Sequence, residues 1–127
     1  NPLIHGDFSA ATLKVNGSLS VTGSMNMGVN STITSSSTFN GTATIIPVNT
    51  SGGAVTLTID SDQKVAGRIL IIKDIGANVS AGYYITIGTE GSEQINYTSD
   101  ALADTIQLTS NYNSITLFCD GSNWYMI

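Results

Sequence analysis

From Leu13 to Ile45 the chain alternates between apolar or small residues and polar ones without losing phase. The odd positions include Leu13, Val15, Leu19, Val21, Met25, Met27, Val29, Ile33, Phe39 and Ile45, with glycine, serine or alanine between them. The even positions carry Lys14, Asn16, Thr22, Asn26, Asn30, Asn40 and a run of serines and threonines. Side chains alternate faces along a strand, so one row of odd positions must be buried against something. One straight strand of this length would reach roughly 100 Å at about 3.3 Å per residue, far beyond ordinary strands. The chain must therefore turn.

Glycine marks the corners. Gly17, Gly23 and Gly41 stand in Asn-Gly or Thr-Gly pairs that supply positive φ for a tight turn. Written in sixes, the stretch reads LKVNGS, LSVTGS, MNMGVN, STITSS, STFNGT, a degenerate hexapeptide repeat. Gly28 is out of phase, which predicts a bulge or local irregularity there. So few repeats make too little core for a free-standing solenoid, whereas three chains wound together bring the odd rows to a shared axis. A low-complexity linker is the competing reading, but a linker has no reason to keep an apolar phase.

After Pro47 the pattern changes to short strands separated by turn signals, the mark of a sandwich or barrel. Strands are expected at 44–48, 54–59, 68–73, 83–87, 94–97, 105–109, 114–119 and 123–127. Ile69-Leu-Ile-Ile72 is continuous, which predicts a central strand covered on both faces. Asp120-Gly-Ser-Asn123 reads as a hairpin turn. The expected core includes Ile69, Ile71, Ile85, Ile87, Leu108, Leu117 and Trp124. The organisation predicted is thus all-β. Residues 1–45 form an intertwined trimeric shaft, and residues 46–127 form a small antiparallel β-sandwich or jelly-roll-like head.

Charge narrows the partners. Only 10% of residues are charged and the net charge is −5. The four fixed cations, Lys14, Lys64, Arg68 and Lys73, are scattered rather than clustered. Nucleic-acid binding needs clustered cations and is excluded on this count; an anionic membrane surface or a sulfated glycan is disfavoured likewise. Solubility falls to Ser, Thr, Asn and Gly, as on extracellular fibres and adhesins. Cys119 is the single cysteine, which rules out an intrachain disulfide and a zinc site of the usual spacing; it reads as a buried, inert thiol. No signal-peptide pattern and no apolar run near the roughly 20 residues of a membrane span occur. The chain begins at Asn1 rather than Met, which reads as a segment of a longer protein.

Catalytic chemistry finds little footing. His5 is the only histidine and lies in the N-terminal tail, so a Ser-His-Asp or Cys-His device has no base elsewhere. Two carboxylate pairs, Asp60/Asp62 and Glu90/Glu93, have the spacing for glycoside hydrolysis or calcium, but both sit in turn-like polar stretches and read as solvated turns. Gly88-Thr-Glu-Gly91 lacks the lysine of a phosphate loop. Six Asn-x-Ser/Thr triplets follow from a composition rich in serine and threonine. No cofactor, metal ligand set or catalytic residue is assigned.

The stretch from Gly67 to Ile127 carries a family pattern. Gly67-Arg68 opens an apolar strand closing in Lys73-Asp74; Ile85-Thr86-Ile87 follows, and Ser114–Leu117 with Asp120–Tyr125 ends it. This order resembles the repeated C-terminal pattern of viral fibre and spike proteins, in phage tail fibres and in fibre-like or collagen-like proteins of large DNA viruses. Ile75 and Gly88 stand where that pattern has a Gly/Asn turn and a proline. The shaft half is similar to the V-x-G-x-L-x-V-x-G repeats of trimeric phage fibres. The resemblance implies a homotrimer, a C-terminal head, exposure on a virion surface and a role in attachment.

The function expected is attachment to a host-cell receptor, a glycan or a protein, by two further copies of the chain joined to the first. A structural trimerisation and folding cap is one alternative, and a bacterial adhesin or carbohydrate-binding module another. Binding residues tend to sit on loops held by a rigid scaffold. Tyrosine beside Asn, Ser and Asp suits sugars, the ring stacking on a pyranose and the polar groups bonding its hydroxyls. Tyr83, Tyr97, Asp100 and Tyr112 are the candidate receptor-binding residues, and one of Tyr83 and Tyr84 is expected to point outward.

Overall fold

The computed structural model describes residues 4–7, 12–98 and 101–127, with 4–7, 12, 97, 98 and 101 as backbone alone. The described residues are all-β, with two single-turn 3-10 segments at Ser61–Gln63 and Val79–Ala81. Among them no helix is long and apolar enough to cross a membrane. Twelve strands follow in order: β1 Ile4–Asp7, β2 Thr12–Val15, β3 Ser37–Phe39, β4 Ile45–Val48, β5 Val55–Ile59, β6 Ile69–Asp74, β7 Ile85–Thr89, β8 Ile95–Thr98, β9 Ala101–Ala103, β10 Thr105–Leu108, β11 Ser114–Cys119 and β12 Trp124–Met126. The eight strands expected after Pro47 are present, with ends shifted by one or two residues.

β1 and β2 form a separate antiparallel hairpin. The rest make a four-stranded sheet, β10-β7-β5-β3, and a six-stranded sheet, β4-β6-β11-β12-β8-β9. Both sheets are mixed, which corrects the expected antiparallel head: β3–β5, β5–β7, β4–β6 and β8–β12 pair in parallel. The reason lies in the connections. From β3 to β8 each successive strand crosses to the opposite sheet, so the pairs β3–β5, β4–β6 and β5–β7, each two apart in sequence, become neighbours running the same way. Turn signals mark where the chain reverses but not whether the next strand pairs with the last.

The inner faces supply one core. β5 buries Val55, Leu57 and Ile59; β7 buries Ile85 and Ile87; β10 buries Ile106 and Leu108. Opposite them lie Ile46, Val48, Leu70, Ile72, Ile95, Ile115, Leu117, Cys119 and Trp124. Burying each large side chain fully contributes about 1.5–3 kcal/mol. Burial pushes the Cys119 thiol pKa up, its largest cause being desolvation, and the thiolate that reactivity needs is correspondingly disfavoured. Phe39 on β3 also joins the core and Ile33 packs against it, so the sandwich takes in residues ahead of position 46.

The outer faces differ. On the four-stranded sheet, Thr38, Thr58, Gly88 and Thr105 stand side by side in register, beside a second row of Thr56, Thr86 and Gln107. On the six-stranded sheet one row runs Val29, Ile45, Ile71, Thr116, and the next runs Ile69, Phe118, Tyr125, Asn96, Leu102. The Phe118 and Tyr125 rings stack with centroids 5.3 Å apart. Ile69 and Ile71 were expected inside, and this is a correction: Ile69 is 39% exposed and Ile71 half-buried. β6 is internal to its sheet, yet no layer among the described residues packs over its second face.

Leu13, Leu19, Val21, Met25, Met27 and Val29 are all exposed, so among the described residues nothing covers these members of the odd row. The segment reaches the sandwich at Gly28, whose carbonyl accepts hydrogen bonds from Thr44 and Ile45 N–H at 2.9 and 3.0 Å. From there it runs parallel to β4 through bridges Val29–Ile45 and Ile33–Val48. Val29 therefore faces out with Ile45 while Ile33 faces in with Val48, an irregularity beside Gly28 as its phase predicts.

Candidate functional site

Strand directions define two ends. The segment ahead of β3 arrives where β4 begins; this near end also holds the connections β3–β4, β5–β6, β7–β8 and β11–β12. At the far end lie the connections β4–β5, β6–β7 and β10–β11, and β8 runs toward it. Of the loops expected to bind, those carrying Tyr83 and Tyr112 lie at the end opposite the one where the N-terminal segment enters, whereas Thr89–Gln94 lies at the near end.

Asp74 holds the far-end loops together. It closes the inner row Leu70, Ile72, Asp74 and is fully buried. Its Oδ1 accepts from Gly76 N–H at 3.0 Å and from Thr50 Oγ1 at 3.4 Å, and its Oδ2 accepts from Tyr112 N–H at 2.7 Å. One carboxylate therefore fastens the β4–β5, β6–β7 and β10–β11 connections. Gly76 is needed for the approach, because a Cβ there would collide with the Thr50 backbone nitrogen. Lys73 Nζ donates to the Tyr112 carbonyl on the outer side. Tyr112 sits at φ 57°, a left-handed conformation rare for a bulky side chain, held by these two contacts. Ser80 N–H donates to Asn111 Oδ1 at 2.9 Å, tying the β6–β7 and β10–β11 loops directly, while buried Val79 anchors the first of them to the core.

Three tyrosines are exposed on this braced end: Tyr83 at 45%, Tyr84 at 39% and Tyr112 at 63%. Both Tyr83 and Tyr84 point outward, contrary to the expected alternation, because β7 begins only at Ile85. Tyr83 and Tyr112 are brought to neighbouring loops. Tyr97 lies near the far-end terminus of β8, with its side chain outside the described residues, and Asp100 falls outside them altogether. The bracing residue, Asp74, was missed as a site residue. Its signal was present: an acidic residue continuing the buried parity of Leu70 and Ile72.

The near end offers other groups, and none assembles a site. Asp60 Oδ1 caps its turn by accepting from Asp62 N–H at 2.8 Å. Glu93 is a correction to the reading of solvated carboxylates: it is 3% exposed, its oxygens lack hydrogen bonds, and Lys64 Nζ lies 3.7 Å away. Among the described residues no group of three or more His, Cys, Asp and Glu is placed to hold a metal. A cleft of about 260 Å³ is lined by Gly41, Thr42, Asp62, Gln63, Val65 and Arg68. Arg68 is committed to structure there, donating to Ala43 O at 2.7 Å, Gly41 O at 3.2 Å and Gln63 Oε1 at 3.1 Å, and burial lowers its pKa. Compared with known proteins, the chain matches no family model and no curated protein.

Proposed function

We propose that this chain is the distal part of a homotrimeric virion fibre, and that the far end of its head binds a host-cell surface glycan. The observation that carries the reading is polarity: the exposed tyrosines, on loops fastened by Asp74, stand at the end opposite the one the shaft segment enters. Loops braced by a buried carboxylate keep aromatic side chains in place before a ligand arrives, which lowers the ordering cost of binding. Three copies per fibre raise weak single-site affinity through effective concentration. The role is binding, with no catalytic step.

The test is a glycan array probed with the whole chain and with Tyr83→Ala, Tyr97→Ala, Asp100→Ala and Tyr112→Ala, each checked for an unchanged assembly mass. The expected result is a defined set of glycans bound by the parent and weakened at least tenfold by Tyr112→Ala or Tyr83→Ala. Equal binding by the parent and all four variants would move the site off these loops. A parent that binds no glycan and adsorbs to no cell favours the second reading, a structural trimerisation cap, which the uncovered apolar face of the six-stranded sheet supports.

A further inference from the structure

The six-stranded sheet turns outward a surface that one chain leaves unused. Val29, Ile45 and Ile71 are adjacent in register, and Ile69, Phe118 and Tyr125 form the neighbouring row. Lys73 is the only charged residue pointing outward from the described strands of this sheet, and its Nζ is turned to the Tyr112 carbonyl at the far end. No charge pattern is left on the face to select an ionic partner.

The face continues the shaft. Val29 is both the last exposed large apolar residue of the odd row and the first member of the sheet's outer row, because it bridges to Ile45. A second copy carries the same row and the same face in the same register, so chains that join along one are brought together along the other. The opposite sheet shows what a solvated face looks like in this molecule: threonine, glutamine and glycine.

We infer that the outer face of the six-stranded sheet is the surface by which the head packs against two further copies of the same chain, with the threonine face of the other sheet outside. The inference rests on the homotrimer reading and adds the face that meets the axis. It leaves Tyr83 and Tyr112 free at the far end, since neither lies on the face.

Cysteine placed by substitution tests it in the whole chain. Thr116→Cys lies in the middle of the proposed contact, and Thr58→Cys lies in the middle of the threonine face; native Cys119 is buried. Sedimentation gives the assembly mass, and a short bis-maleimide then reports which thiols are near a neighbour's. The expected result is a three-chain mass, with covalent dimers from Thr116→Cys and essentially none from Thr58→Cys. A three-chain mass with no Thr116→Cys cross-link, or with equal cross-linking at both positions, would overturn the face and leave the homotrimer standing. A one-chain parent overturns both. Ile71→Arg supplies a second measurement: at least a tenfold loss of assembled fraction is expected, against none for Thr58→Arg. If Ile71→Arg does not fold, the cysteine pair still decides.

Discussion

The four-stranded sheet turns threonine and glutamine outward; the six-stranded sheet turns isoleucine, phenylalanine and tyrosine outward; yet both bury the same kind of Ile, Leu and Val rows within. The inner rows explain why the chain folds, because each sheet needs the other to remove its apolar face from water. The outer rows explain something else. A threonine face is finished once the chain has folded, whereas an isoleucine face remains a cost until something covers it.

The largest effects should come from the shared interior and should ignore the difference outside. Trp124→Ala, on the six-stranded sheet, is expected to cost about 3–5 kcal/mol, and Leu57→Ala, on the four-stranded one, about 2–5 kcal/mol. Urea unfolding measures both, and a negligible loss at Trp124 would remove it from the core. Next comes Asp74→Ala, where the inner row turns polar. It strands the Gly76 and Tyr112 N–H groups at an expected cost of about 1–3 kcal/mol for each one left unsatisfied. Hydrogen exchange should quicken at residues 109–113 specifically.

Smaller changes probe the faces. Ile71→Thr makes the six-stranded face resemble its counterpart and is expected to raise the dissociation constant of the assembly about tenfold, the equivalent of about 1.4 kcal/mol. Thr86→Ala, on the threonine face, should leave stability within about 0.5 kcal/mol. Sedimentation across a dilution series measures the first, and thermal unfolding the second.

The smallest effect is electrostatic. Hydrogen bonds from Asn123 and Ser122 N–H hold the Asp120 carboxyl below its ordinary pKa, and the Tyr125 hydroxyl on the apolar face adds to them. A depressed carboxyl stabilises fully above its unfolded pKa and loses that contribution as pH falls through the lowered folded value. The melting-temperature difference between the parent and Asp120→Ala should therefore be present at neutral pH and shrink in acid. A difference that grows on acidification would reverse the assignment.

Much of this was legible before the structure, where one residue decided one thing. Ser114–Ile115–Thr116–Leu117 alternates cleanly, and the strand, its phase and the burial of Leu117 follow from that. The Asp120 to Asn123 turn is equally local, with Gly121 at φ 97° and Asp120 Oδ1 accepting from Ser122 and Asn123. Ile69-Leu-Ile-Ile72 was read as covered on both sides because periodicity records two apolar rows but not whose chain covers each. The parallel pairs were hidden for another reason. Ile45 meets Ile71, and Val55 meets Ile85, across distances no turn signal spans. β9 and β3 are three residues each, too short to show a period. Of the candidate site, the exposed tyrosines of the β6–β7 and β10–β11 loops were readable from loop composition. Their brace was not, since an aspartate after a strand looks like a turn until the parity of Leu70 and Ile72 is carried one step further.

The position of β12 also bears on when this sandwich can exist during synthesis. It is the last of the described strands in chain order, yet it lies between β11 and β8 in the interior of the six-stranded sheet. Until Trp124–Met126 leave the ribosome, the β8–β9 pair has no sheet to join and the core lacks its largest side chain. A nascent chain interrupted anywhere before that point keeps an open seam instead of a reduced but finished fold. Synthesis through β12 thus acts as a checkpoint: chains ended before Trp124–Met126 cannot close the six-stranded sheet, so their own incomplete architecture sets them apart from finished ones.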